Sequence, residues 1–341
     1  MGTGGIRRED EAMTPPEVAQ ASPPAGAEGR RGRLRYLEPE QRRQIAFITL
    51  GAAAVFAFFR WLPTGTNLSH MDFRVNAKNS IDFCDPLSPQ FIPVVAVASP
   101  VSMTLVSDGA EVRPNVPAKF TARLQTSTGK SIAPEDLLVA HTRKLHLLII
   151  DPWLDDYQHV HPEPGRSPGE WTFSFTPHRE GTYRIFADFT PVATGRGLYA
   201  SADWTVGPAG LPAGFTLVMQ HEAAWTAERD GCSFTLTPAV PTIAAGRPTD
   251  LKLSILRADG GTVSLSPVMG AYAHLVAFDE ARSGFAHLHP LETDLTRAPD
   301  AKRPELNFKI TIPKAGRYVI WAQVVLAGRE TFVPFWFEVE P

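Results

Sequence analysis

The chain reads as an all-β protein: two tandem immunoglobulin-like β-sandwich domains preceded by a disordered N-terminus and one transmembrane helix. Three observations predict this. Thirty-one prolines and 26 glycines punctuate short apolar runs, the pattern of many strands joined by turns. Long amphipathic helical periodicity is missing beyond the N-terminal part. A histidine pattern also occurs twice, 128 residues apart: His146, His159 and His161 return with the same spacing as His274, His287 and His289. A fixed pattern at that separation means two copies of one module.

Residues 1–40 are rich in Pro, Ala, Gly, Glu and Arg and poor in large apolar side chains. They cannot bury enough surface to offset the entropy of ordering, so disorder is expected. Residues 41–62 form the expected anchor. Its stretch 45–59 carries no charge, and Arg60 and Trp61 suit the membrane interface. Arg30, Arg31, Arg33, Arg35, Arg42 and Arg43 precede it, which by the positive-inside rule keeps the N-terminus cytoplasmic and exports the rest. A retained anchor is favoured over a signal peptide, because the leader would be long and no small-x-small cleavage site follows. The expected location is a bacterial inner membrane, with the C-terminal domains periplasmic.

Residues 63–90 read as an extended stalk. The first sandwich is expected over 91–206, opening with a strand at 94–98. A Gly/Pro/Ala linker at 207–214 follows, then the second sandwich over 215–341, opening with a strand at 215–222. The repeat extends past the histidines: Gly181-Thr182-Tyr183 aligns with Gly316-Arg317-Tyr318, each entering a strand. This is the setting of a tyrosine corner, whose hydroxyl bonds back to the backbone.

The cassette has a definite geometry if the strands flanking residues 151–156 are antiparallel neighbours. With the turn centred near Trp153 and Leu154, His146 lies opposite His161 and His159 lies diagonally near. His159 and His161 share one face because strand side chains alternate. The same holds for His274, His287 and His289. A register slip of one residue would send His146 to the other face. Five residues before His146 stands His141, and five before His274 stands Met269. These suggest a four-histidine set in the first module and a Met plus three-histidine set in the second. Imidazole suits copper or zinc, and a thioether leans toward copper(I), so copper is the expected ion with zinc the other candidate. His70, Met71, Met219 and His221 are weaker ligand candidates. The alternative is that the imidazoles merely bond backbone carbonyls at strand ends.

Cys84 and Cys232 fit an oxidising compartment and occupy inequivalent places; a link between them and two separate thiols both stay open. No nucleophile elbow or phosphate loop appears, and no Cys–His set suits blue copper. Enzymatic activity is not expected. A net charge of −3 gives no basic surface for nucleic acid.

The His-Leu strand ending in Asp151 or Asp279, the His-x-His-Pro run, and Gly-x-Tyr-x-Ile-x-Ala together resemble exported YtkA-like β-sandwich domains, distantly similar to periplasmic copper-carrier sandwiches. The resemblance implies metal handling, or assembly of membrane complexes, and bears on the six cassette histidines and Met269. Two functions follow as expectations. One is a membrane-anchored periplasmic protein that binds copper or another transition metal for handling or delivery to an acceptor protein. The other is a non-catalytic subunit of a respiratory or photosynthetic membrane complex, with the histidines structural.

Overall fold

The computed structural model describes residues 38–61, 68–74, 90–109, 111–207 and 221–341. The disorder expected of 1–40 falls almost wholly outside these residues, as do Cys84, Met219, nearly all of the linker and most of the strand expected at 215–222. One helix, α1 (Pro39–Trp61), begins at Pro39 rather than 41. Proline at a first helical position loses no hydrogen bond there. The segment Pro39–Phe59 is long and apolar enough to cross a membrane, and its Phe47, Ile48, Phe56 and Phe59 are all exposed.

Apart from two short 3-10 turns (His70–Phe73 and Pro134–Asp136), the other regular elements among the described residues are β-strands. The first module contains β1 (Val101–Ser107), β2 (Ala118–Thr126), β3 (Leu145–Ile150), β4 (Tyr157–Val160), β5 (Glu163–Pro164), β6 (Glu170–Phe175), β7 (Gly181–Phe189) and β8 (Leu198–Val206). The second contains β9 (Thr226–Arg229), β10 (Cys232–Pro238), β11 (Ile243–Ala244), β12 (Pro248–Arg257), β13 (Leu265–Ser266), β14 (His274–Asp279), β15 (Phe285–Leu288), β16 (Glu305–Thr311), β17 (Gly316–Leu326) and β18 (Arg329–Glu340). Each module is a sandwich of two sheets. The first pairs β1-β2-β6-β5 with β4-β3-β7-β8; the second pairs β16-β12-β10-β9 with β11-β18-β17-β14-β15. The tyrosine corners are present. Tyr318 Oη donates to the Lys314 carbonyl at 3.0 Å, and Tyr183 Oη accepts the Arg179 N–H at 3.1 Å.

Strands β3 and β14 are buried at nearly every position. Leu145, Leu147 and Ile149 point into the first module's own core, and Leu275 and Ala277 into the second's. The opposite face of each strand also finds cover. Leu148, Ile150 and Phe186 pack against Val276, Phe278, Val319 and Trp321, so the β3-β7 sheet of one module lies on the β14-β17 sheet of the other. Arg184 donates to the Arg282 carbonyl and Arg282 to the Thr182 carbonyl, tying the same face together (2.8 and 2.6 Å).

Two expectations need correction. Residues 94–98 form no strand. They turn, while the preceding segment crosses to the second module, where Ile92 exchanges backbone hydrogen bonds with Phe285 (2.8 and 3.1 Å). Ile92 and Val94 are buried between the modules, so the apolar run serves a contact and not a ladder. The stalk is not simply extended either. Its described part, Leu68 to Arg74, contains a 3-10 turn (His70–Phe73), and Leu68 and Phe73 sink into the first module's core.

Candidate metal centre

Each triad is assembled by one hairpin, and each hairpin is set by its aspartate. Asp151 Oδ1 accepts the backbone N–H of Asp155 and Asp156 (2.7 and 3.0 Å). Asp279 likewise accepts from Ser283 N and Gly284 N, and its second oxygen takes the Ser283 hydroxyl (2.6, 3.4 and 2.7 Å). The turns fix registers of Leu148↔His159 and Val276↔His287, which continue to put His146 opposite His161 and His274 opposite His289. The expected convergence is therefore seen. In each set, one nitrogen per imidazole lies within 4.8 Å of the other two.

The histidines lie on the sheet faces that meet between the modules, so the two triads adjoin. His159 and His287 have ring centroids 5.3 Å apart, and His146 and His287 5.8 Å. His141 belongs here too, although not where the sequence places it. Its ring stacks on His289 with centroids 3.6 Å apart, against 6.2 Å to His146 of its own module. The cause is the turn 140–143, which reaches over the second module with His141 at φ 49°. Met269, with the same φ, is half-buried at the equivalent tip of turn 268–271. Seven of the ten histidines thus form one cluster. A cavity of about 220 Å³ opens beside it, lined by His141, His146, His287, His289, Asp188 and Tyr199 among others.

The hydrogen bonds dictate which nitrogens carry protons. His146 Nε2 lies 3.0 Å from the Ala140 carbonyl, and His274 Nε2 lies 3.0 Å from the Val268 carbonyl. A carbonyl only accepts, so both Nε2 atoms are protonated and both Nδ1 atoms are bare. His287 Nδ1 donates to Asp188 (3.0 Å) and His159 Nδ1 to Gln323 Oε1 (2.8 Å), leaving both Nε2 atoms bare. The carbonyls anticipated as competitors therefore occupy only the outer nitrogens. The inner atoms His274 Nδ1, His287 Nε2, His289 Nε2 and His161 Nε2 are buried without a hydrogen-bond partner. His146 Nδ1 and His159 Nε2 face one another at 3.1 Å, a separation that suits a ring-to-ring hydrogen bond in one tautomer and a shared ion in the other. With both outer protons in place, the two lone pairs at that distance repel unless a cation lies between them. Two nitrogens bound at 2.0–2.1 Å to one tetrahedral ion stand about 3.3 Å apart.

Burial also keeps the rings neutral. It pushes His159, His287 and His289 well below the ordinary imidazole value, with neighbouring histidines adding to the effect. Burial brings His274 down to about 3 and His161 to about 4. His146 is lowered by burial and partly restored by Asp188. Ligation at neutral pH would then displace no protons.

Asp188 and Gln323 escaped the sequence reading. They stand at equivalent sites: Asp188 lies opposite His146 in the β3-β7 ladder, Gln323 opposite His274 in the β14-β17 ladder. The available signal was the polar residue directly after Gly-x-Tyr-x-Ile-x-Ala in each copy. The weaker candidates stay apart from the triads. His70 and Met71 are exposed on the 3-10 turn, and His221 stacks on Trp336 and pairs with Asp155 at 2.7 Å. Cys232 is buried in the second module's core.

No protein of curated function matches the chain. Solved structures give only slight likenesses. A protein of Corynebacterium diphtheriae described as membrane anchored is 10% identical over 72% of this chain and 59% of its own, with a TM-score of 0.23. The Escherichia coli adhesin FdeC is 12% identical over 70% and 64%, with a TM-score of 0.21. Fibronectin(III)-like modules of Clostridium thermocellum CbhA are 11% identical over 70% and 94%, with a TM-score of 0.18. This chain spans about three fifths of the first two proteins. At such scores the likeness carries no functional meaning. A family described as a domain of unknown function, DUF8832, matches residues 98–206 and 227–341, the two modules that build the cluster. The chain belongs to the DUF8832 family.

Proposed function

We propose that this is a membrane-anchored metal-binding protein that holds transition-metal ions, copper foremost and zinc next, between its two sandwiches. Its role is metal handling or delivery on the exported side of a bacterial inner membrane, with a metal-acceptor protein or membrane complex as partner. No catalysis is assigned to it. The reading rests above all on the inward nitrogens: each triad presents three, and the outer nitrogens of four rings are held by fixed oxygens. Outer-shell oxygens of this kind orient metal-binding imidazoles and raise their basicity. An all-imidazole donor set suits copper and zinc, and among first-row divalent ions copper(II) binds such sites most strongly. The resemblance of the histidine hairpins to YtkA-like domains points the same way. The apolar α1 and the arginines before it support the tether and its orientation.

Elemental analysis of the full chain, purified in detergent without a histidine tag and loaded with copper or zinc, tests the reading. Up to two equivalents are expected. His287→Ala with His289→Ala removes one, and His159→Ala with His161→Ala removes the other. Protein that folds and never acquires stoichiometric metal overturns it.

A further inference from the structure

The two triads have the same inner atoms and different outer ones. In both, the first histidine offers Nδ1 and gives its Nε2 proton to a carbonyl of its own module, Ala140 or Val268. In both, the second histidine offers Nε2 and gives its Nδ1 proton across the interface. His159 of the first module gives it to Gln323 of the second, and His287 of the second gives it to Asp188 of the first. The exchange is reciprocal because Asp188 and Gln323 hold the same ladder position in their modules. The symmetry breaks only in chemistry, since one acceptor is a carboxylate and the other a neutral amide.

That difference bears directly on a bound cation. A carboxylate behind an imidazole N–H makes the ring a stronger donor and places a negative charge one ring away from the ion; an amide does the first weakly and the second not at all. Among the described residues Asp188 pairs with no lysine or arginine; its one ion pair is with His287, and its charge reaches His146 and His141 only through space. Only a fifth of its side chain is exposed, where water screens charge poorly. On the other side, the Gln323 amide nitrogen is buried without a partner, a donor dipole that gives a nearby cation no help.

We infer that the triads are unequal: His274, His287 and His289, backed by Asp188, form the tight site for a divalent ion and fill first. His146, His159 and His161, backed by Gln323, form the weaker site, which fills last and releases first. This rests on the metal-binding reading above. Asp188 and Gln323 are positioning residues that act through the imidazoles and do not touch the ion. The chain then carries one retained ion and one exchangeable ion.

Zinc is the probe, titrated into the untagged full chain in detergent against a competing chromophoric chelator. Repulsion between two neighbouring ions would separate the two steps even for equal sites, so the position of the first ion decides. At one equivalent, anomalous scattering from crystals is expected to place zinc at the second triad. Asp188→Asn should weaken the first step by about 10- to 100-fold, the usual effect of losing such a partner, and weaken the second distinctly less, since the first triad feels its charge only through space. Gln323→Glu, which adds a charge and removes only an amide nitrogen without a hydrogen-bond partner, should tighten the second step by a similar factor. Equal occupancy of both triads at one equivalent overturns the inference, as does Asp188→Asn weakening both steps alike. Two equivalents bound without preference leave the metal-binding reading standing while this one falls; no stoichiometric zinc or copper at all removes both.

Discussion

The imidazole of His141 lies flat on that of His289, their planes 17° apart, although the two residues belong to different modules. A stacked ring points its nitrogens along its own plane and not into the triad beneath it. His141 is therefore expected to cover the second triad without completing it. His141→Phe, which keeps a flat ring, should retain both equivalents of metal, whereas His289→Ala should lose one. Loss of an equivalent in His141→Phe, measured by elemental analysis, would make His141 a ligand.

The metal-free chain should lose stability in mild acid. Folded-state values of about 3 for His274 and about 4 for His161 lie below the ordinary imidazole value near 6.5, with burial the cause in both. Between those values and pH 6.5 the unfolded chain binds more protons than the folded one. Stability then falls as pH drops through that window, by up to about 1.4 kcal/mol per pH unit for each such histidine, and is flat for these groups above about pH 7. Thermal melts of chelator-treated protein at pH 7.5 and 5.0 test the sign; a higher melting temperature at pH 5.0 would refute it. Bound metal should steepen the fall, since protons and metal compete for the same nitrogens.

Gly284 has no room for a side chain. A Cβ there would lie 1.8 Å from the Ile92 carbonyl oxygen, which the crossing segment lays against β15. Gly284→Ala is expected to cost about 1–3 kcal/mol, by forcing that segment outward. Gly109→Ala, with nothing within 4 Å of its Cβ, should stay within about 0.5 kcal/mol. Denaturant unfolding of the pair separates a local clash from a general glycine effect.

The turn aspartates should act on the metal site from a distance. Asp279→Ala removes the acceptor of the Ser283 and Gly284 backbone N–H groups, at a cost of about 1–3 kcal/mol. It should also loosen the second triad, whose His287 and His289 depend on that hairpin, and leave the first triad's metal in place. Equal loss from both triads would show that the turn does not set the register of its own hairpin alone.

Much of this was legible from residue spacing. Period-two strands and a turn of known length put His146 opposite His161 and bring His159 alongside, because register in a hairpin follows from its loop. The joining of the two triads was not legible. The near-continuous apolar runs of β3 and β14 announce burial on both faces, yet nothing in a strand's own sequence says what covers the second face. Spacing groups His141 with His146 while its ring lies on His289, because a turn's reach across an interface has no signature in spacing. Residues 94–98 misled similarly, since Val94, Val95 and Val97 favour a strand while the interface asks only for buried side chains. Asp188 and Gln323 have no signature in spacing either, because a polar residue in a buried strand acquires its meaning only from the other module.

Those two residues have a last consequence. Cutting the chain between its modules would spare both sets of inward nitrogens, yet His159 and His287 would each lose the oxygen that sets its tautomer. The two halves are thus answerable to one another for chemistry as well as for packing, and a fragment carrying one of them would be a poor stand-in for the whole.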